Sequence, residues 1–221
     1  MDDLIADFHI HSKYSHDSLM SPESIVNRAK KVGLTCIAIT DHGTIAGGVE
    51  GKRIGGKYGV EVVVGAEIKT NCGDIIGLNL NEEIKVTDWH EVIRLVRSQG
   101  GIVVLPHPYH DHTCVKEVAQ CVDFIECWNS RCTTEENSNA ELLAISSGKK
   151  IIYGSDAHSL SEIGLVKVRF HLNTFTIGGV ISTLYTPSWK IRTSQIISHV
   201  KNHEYRRLMQ QGGIFLWKKK P

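Results

Sequence analysis

The sequence predicts an α/β protein: a single distorted (β/α)7 barrel of the TIM-like kind, with its functional groups at the C-terminal ends of the strands. Short β-rich runs alternate with helical stretches, which is the pattern of a parallel sheet. About seven such units fit within a length that favours one core over two. Histidines and carboxylates recur just past the strands instead of being scattered.

Residues 4–10 read as the first strand. Ser21 caps the helix that follows, Pro22 suits its first turn, and Ile25, Val26, Ala29 and Val32 form its apolar face. Gly33 ends it. Strands are expected at 35–40, 61–66 and 74–80, and between the first two the glycine-bearing stretch around Gly51-Lys52-Arg53 reads as a surface helix. Residues 88–98 are amphipathic through Val92, Leu95 and Val96 and stop at Gly100-Gly101. Strands follow at 102–105 and 123–128, a helix at 135–147 closed by Gly148, and a strand at 151–154. The domain is read as 1–221, with 170–221 an extension where the pattern weakens; residues 195–209 are its one helical stretch, and Lys218-Lys219-Lys220 reads as a solvated tail.

Lysine plus arginine is 25 and aspartate plus glutamate is 24, a net charge of +1. No strong field favours a polynucleotide or an anionic membrane. The start, Met1-Asp2-Asp3-Leu4, has no basic or apolar signal region, and no apolar run approaches the roughly 20 residues that cross a bilayer. A cytoplasmic protein with no membrane partner is expected. None of the six cysteines forms a C-x-x-C pair, so buried, reduced thiols are expected.

The chemistry gathers at strand ends. Residues i and i+2 of a strand share a face, so His9 and His11 can grip one ion. Asp17 follows in a nearby loop. Asp41-His42 ends the next strand, with Asp41 either orienting a ligand or capping the next segment. Glu67 lies just past a valine-rich run, and a carboxylate there can bridge two ions where neutral imidazoles cannot. His107 ends another strand, and Asp156 and His158 repeat the i, i+2 relation. Singly, each has an ordinary structural reading; together at successive strand ends they point to a metal cluster.

The ordered set His9-x-His11, Asp17, Asp41-His42, Glu67, His107 and Asp156-x-His158 resembles the polymerase and histidinol phosphatase (PHP) family, over about residues 4 to 165. The resemblance implies a distorted seven-stranded barrel holding two or three divalent ions, commonly zinc, manganese or iron. By position, His9, His11, Glu67 and Asp156 would hold one ion. Glu67 would bridge to a second, shared with His107, and Asp17, His42 and His158 would hold a third. Some members add a histidine or cysteine at the end of the sixth strand. Cys127 best fits that spacing, as ligand or as core thiol, and Glu126 is the alternative.

The expected activity is metal-dependent hydrolysis of a phosphoester, a small phosphomonoester or a nucleotide, by a metal-activated hydroxide, with Glu67, Asp156 and His158 at the reacting centre. No Gly-x-Ser-x-Gly elbow and no phosphate loop competes with this reading. Arg131 and Lys13 are the candidate phosphate-binding cations, and His110 or His112 a candidate general acid or a solvent-facing loop residue. The alternatives are a nuclease or a polymerase-associated or RNA-processing module, and, from another reaction class, a metal-dependent amidohydrolase.

Overall fold

The computed structural model describes residues 3–174 and 176–210, with side chains described as far as residue 203. The lysines at 218–220 lie outside the described residues.

Strands β1 (Leu4–Ile10), β2 (Cys36–Ile39) and β3 (Glu61–Thr70) run parallel. β4 (Gly73–Leu78) is antiparallel to both β3 and β5 (Ile102–Leu105), and β6 (Phe124–Asn129) and β7 (Lys150–Gly154) follow parallel to β5. The nearly closed barrel thus contains a reversed strand that strict alternation did not predict. The cause is local. Only Asn71 and Cys72 separate β3 from β4, and a parallel crossover needs roughly a dozen residues.

The sheet has nine strands in the order β7-β6-β5-β4-β3-β2-β1-β8-β9. Two extra strands continue the sheet: β8 (Val166–His171) pairs antiparallel with the first half of β1, and β9 (Thr176–Thr183) pairs antiparallel with β8. At the other end of β1 the barrel closes directly. Ile10 bridges to Ala157, just past β7, and the His11 N–H donates to the Ala157 carbonyl at 2.9 Å. This closure brings His9 and His11 beside Asp156 and His158.

Helices α1 (Pro22–Lys31), α2 (Ala46–Tyr58), α3 (Trp89–Ser98), α4 (Val115–Cys121), α5 (Thr134–Ser147) and α6 (Ser188–Gln210) accompany the strands. Ser21 and Asp88 cap α1 and α3, and a capping box of Thr133 and Glu136 starts α5. α2 packs tightly: a Cβ at Gly48 would meet the Val64 Cα at 3.0 Å, so its glycines serve close helix–sheet approach.

Ala6, Phe8, Ala38, Val104, Phe124 and Ile152 are among the residues of one buried cluster, drawn from the strands themselves. α1, with β1 and β2, and α3–α5, with the remaining strands, build two further clusters. Phe8 belongs to the strand cluster but Ile10 to the α1 cluster. Two residues on a regular strand share a face, so the face switches between them, where the β1–β2 register shifts. A cavity of about 820 Å³ at the opposite end of the barrel from the histidines, among Phe8, Phe124, Ile152 and Phe170, is mostly apolar.

Cys72 and Cys114 form a disulfide, a correction to the expectation of reduced thiols throughout; Cys36, Cys121, Cys127 and Cys132 are free. The β3–β4 turn lies against the loop after β5, where the Thr113 N–H donates to the Cys72 carbonyl at 3.0 Å. Among the described residues no helix is long and apolar enough to cross a membrane.

Candidate metal centre

The strand ends converge on Glu67, which is 2 % exposed. Its Oε2 lies 3.4 Å from His9 Nε2, 3.2 Å from His11 Nε2 and 3.3 Å from His42 Nδ1. Its Oε1 faces the other way, 2.9 Å from His107 Nε2. One carboxylate therefore addresses two sets of imidazoles, one oxygen for each. His9 Nε2 and His11 Nε2 are 3.1 Å apart, so the i, i+2 pair does converge. Asp156 Oδ1 lies 3.2 Å from His11 Nε2. Beyond them Asp17 Oδ2 sits 3.2 Å from His42 Nε2 and 2.8 Å from His158 Nε2. All the sequence-expected ligands other than Cys127 are thus brought together.

Acceptors behind the rings fix how they point. The Asp156 carbonyl lies 2.8 Å from His158 Nδ1 and can only accept, so that nitrogen carries a proton and Nε2 points to the Asp17 side. Glu126 Oε1 does the same to His9 Nδ1 at 3.0 Å. Ser15 Oγ lies 2.9 Å from His11 Nδ1 and accepts the His42 N–H. Asp41 neither orients a histidine nor caps a helix; its carboxylate accepts the Ser12 N–H and hydroxyl, tying the loop after β1 to the end of β2. His107 (φ 27°) and Asp156 (φ 52°) both hold left-handed backbone, an arrangement that concentrates at functional sites. A Cβ at Gly154 would collide with Glu126 and His9, which explains the glycine before Ser155-Asp156.

The electrostatics follow from burial among opposite charges. Burial raises the Glu67 carboxyl, but His42, His9, His107 and His11 outweigh it and hold it well below the carboxylate range. Asp156 is held low against burial by His9 and His11, and Asp17 by His158 and His42. Burial lowers His11 and His107, yet Asp156 and Glu67 bring the first up to about 10, and Glu67 brings the second up to about 9. His158 is lowered, by burial and then by the charge of His11. Burial raises Asp7 to about 7, while its Oδ1 accepts the Ser155 N–H at 2.9 Å.

The donor set fits divalent cations. Imidazole nitrogens and carboxylate oxygens of Asp17, His11, His42 and His158 lie within 4.8 Å of one another, and so do those of His9, His11 and Glu67. Asp17 Oδ1 and Asp74 Oδ1 are buried with no hydrogen-bond partner, a cost that a cation would remove.

Asp74 is the residue the sequence reading missed. It lies at the start of β4, 9 % exposed, and forms a ligand-like group with Glu67 and His107. Cys127 is corrected away from the cluster. Its Sγ lies 3.6 Å from the Ala140 carbonyl of α5, within the helix-side apolar cluster, and burial pushes its thiol up to about 12. Glu126 faces the cluster, but both its oxygens are taken, Oε1 by His9 and Oε2 by the His107 N–H at 2.9 Å.

A cavity of about 400 Å³ opens over these groups, between the barrel mouth and α6, which contributes Ile191, Ser194, Gln195 and Ser198. Arg131 lines it, tied to Ser194 at 2.9 Å and to the fully buried Glu162 at 3.0 Å. Lys13 does not line it; its ammonium turns toward Glu50 at 3.9 Å. His16, passed over in the sequence, lines the cavity beside Asp17. His110 lines it too, whereas His112 is fastened to β4 by the Asp74 N–H at 3.0 Å.

The PHP domain family model matches residues 7–176. The chain belongs to the PHP domain family. Two uncharacterized proteins of Methanocaldococcus jannaschii resemble it. One is 49 % identical over 115 residues, 47 % of this chain and 67 % of that protein. The other is 30 % identical over 209 residues, 89 % and 83 %. A 5'-3' exoribonuclease of Haemophilus influenzae is 39 % identical over 80 residues, 34 % of this chain and 29 % of that enzyme. Among solved structures, a two-domain Bacteroides vulgatus protein containing a predicted PHP-like metal-dependent phosphoesterase aligns with TM-score 0.66 at 21 % identity, covering 78 % of this chain. This PHP chain spans 61 % of that one.

Proposed function

We propose that this PHP protein hydrolyses a phosphoester, a small phosphomonoester or a nucleotide, at a centre of two or three divalent ions, zinc, manganese or iron. The observation that carries the reading is Glu67, whose two oxygens face two different groups of histidines. His9, His11, Glu67 and Asp156 would hold one ion. Glu67, His107 and Asp74 would hold a second, with Asp74 in the place expected of Cys127. Asp17, His42 and His158 would hold the third. When bound, such ions supply positive charge for phosphoryl oxygens and acidify water.

The chain's own residues supply the rest. Glu67, Asp156 and His158 stand at the reacting centre. Glu126 and the Asp156 carbonyl hold the His9 and His158 imidazoles in one tautomer, and Ser15 fixes the orientation of His11. Arg131 brings a fixed guanidinium to the cavity wall, suited to a phosphate oxygen. α6 forms one wall of the cavity. A volume of about 400 Å³ suits a small phosphorylated molecule or one nucleotide. The likeness to an exoribonuclease favours, as a second reading, release of a terminal nucleotide by the same chemistry.

The test is the full chain loaded with manganese, zinc or iron, assayed for phosphate release from p-nitrophenyl phosphate and a phosphate-ester panel, and for nucleotide release from a 5'-phosphorylated oligoribonucleotide. Activity that needs metal and disappears in His9→Ala and Asp156→Ala supports the proposal. Inactivity with every metal, or activity unchanged in both variants, sinks it.

A further inference from the structure

His110, Cys132 and Glu136 form a second kind of ligand group, apart from the side chains of the proposed multinuclear centre. One imidazole nitrogen, one sulfur and one carboxylate oxygen lie within 4.8 Å of one another. Separate contacts fix each position. The His110 N–H donates to the His107 carbonyl at 2.8 Å, and the Cys132 N–H to the Asn129 carbonyl at 3.2 Å. Glu136 Oε2 closes the capping box with Thr133, which leaves Oε1 facing His110 Nδ1 at 3.2 Å. Cys132 is 6 % exposed, and no hydrogen bond reaches its sulfur among the described residues.

We propose that His110, Cys132 and Glu136 are a separate zinc site on the wall of the substrate cavity. An imidazole, a thiolate and a carboxylate suit zinc, and the soft thiolate discriminates against manganese and magnesium, which favour harder oxygen and nitrogen donors. Three protein ligands leave one position of a tetrahedral ion open. His110 and Cys132 line the cavity, so that position faces the space a substrate would enter. There it takes water or an oxygen or nitrogen donor on the part of the substrate away from the scissile phosphate. Zinc binding breaks the Cys132 S–H bond, the sulfur keeps the electron pair as a thiolate ligand, and the proton leaves to solvent.

The test is spectroscopic and does not depend on turnover. The full chain is loaded with cobalt(II) and scanned for the near-ultraviolet thiolate-to-cobalt charge-transfer band. No cysteine belongs to the proposed multinuclear centre, so the band reports on this site alone. Wild-type protein and His9→Ala should both show it, and Cys132→Ser should lose it along with one equivalent of tightly bound zinc. His110→Ala, at a residue 56 % exposed in its side chain and therefore safe for folding, should weaken the band and zinc retention at least tenfold. No band in wild type, or a band unchanged in both Cys132→Ser and His110→Ala, overturns the proposal. Either result is independent of whether the chain hydrolyses phosphoesters.

Discussion

Glu126 Oε1 lies 3.0 Å from His9 Nδ1, and this contact turns His9 Nε2 toward His11 and Glu67. The other Glu126 oxygen accepts the His107 N–H at 2.9 Å, so one buried side chain positions two proposed ligands. Glu126→Gln keeps the shape and removes the charge. It should weaken metal affinity and metal-dependent turnover roughly 10- to 100-fold, the usual cost of losing an orienting carboxylate behind a histidine ligand. Metal titration and kcat at saturating metal check this; wild-type affinity in the variant would show that Glu126 does not position the ligands.

Asp74 and Cys127 make a paired prediction. Asp74→Asn should lower the metal content by about one ion per chain, by the coordination logic of a carboxylate ligand. Cys127→Ala should leave metal content unchanged and cost about 1 kcal/mol of stability from lost packing. Elemental analysis after dialysis, with denaturant unfolding of both variants, separates the two roles.

These two residues also mark where the sequence was legible and where it was not. His9, His11, His42, Glu67, His107 and Asp156 were legible because each follows an apolar run that had to be a buried strand, and parallel strands deliver their ends to one mouth. Asp74 was hidden because β4 is reversed, so its start, not its end, reaches that mouth. Cys127 misled because spacing along the chain does not record which face a strand presents. Phe124 belongs to the strand cluster and Ile125 and Cys127 to the helix-side cluster, leaving Glu126 toward the site. The cover provided by α6 was illegible for a different reason: a helix of polar and apolar residues does not say what it lies over.

Metal binding should be strongly pH-dependent. In the metal-free protein His11 titrates at about 10 and His107 at about 9, both above the ordinary 6.5. The stability they lend to the metal-free fold is fully present below 6.5 and lost as pH rises through 9 to 10. Over the same window their protons compete less with cations, so metal affinity should rise with pH. Binding near neutrality should release about two protons from this pair, since ligand histidines must be neutral. Calorimetry in buffers of different ionisation enthalpy measures the release; affinity that is flat or falling with pH would contradict the assignment.

α6 is held over the mouth by Lys201, whose ammonium donates to the carbonyls of Ser15 at 2.7 Å and Ser18 at 2.6 Å in the loop after β1. Lys201→Ala should cost roughly 1 kcal/mol of stability. It should also speed amide exchange across α6 and raise KM more than it lowers kcat, because the cavity wall loosens while the proposed ligands stay in place. Hydrogen exchange and steady-state kinetics check this together.

The most direct test of a multinuclear centre is anomalous diffraction from crystals of the full chain soaked in manganese. Separate peaks are expected among His9, His11, Glu67 and Asp156, among Glu67, Asp74 and His107, and among Asp17, His42 and His158. A lone peak away from Glu67, or none at saturating manganese, would contradict it.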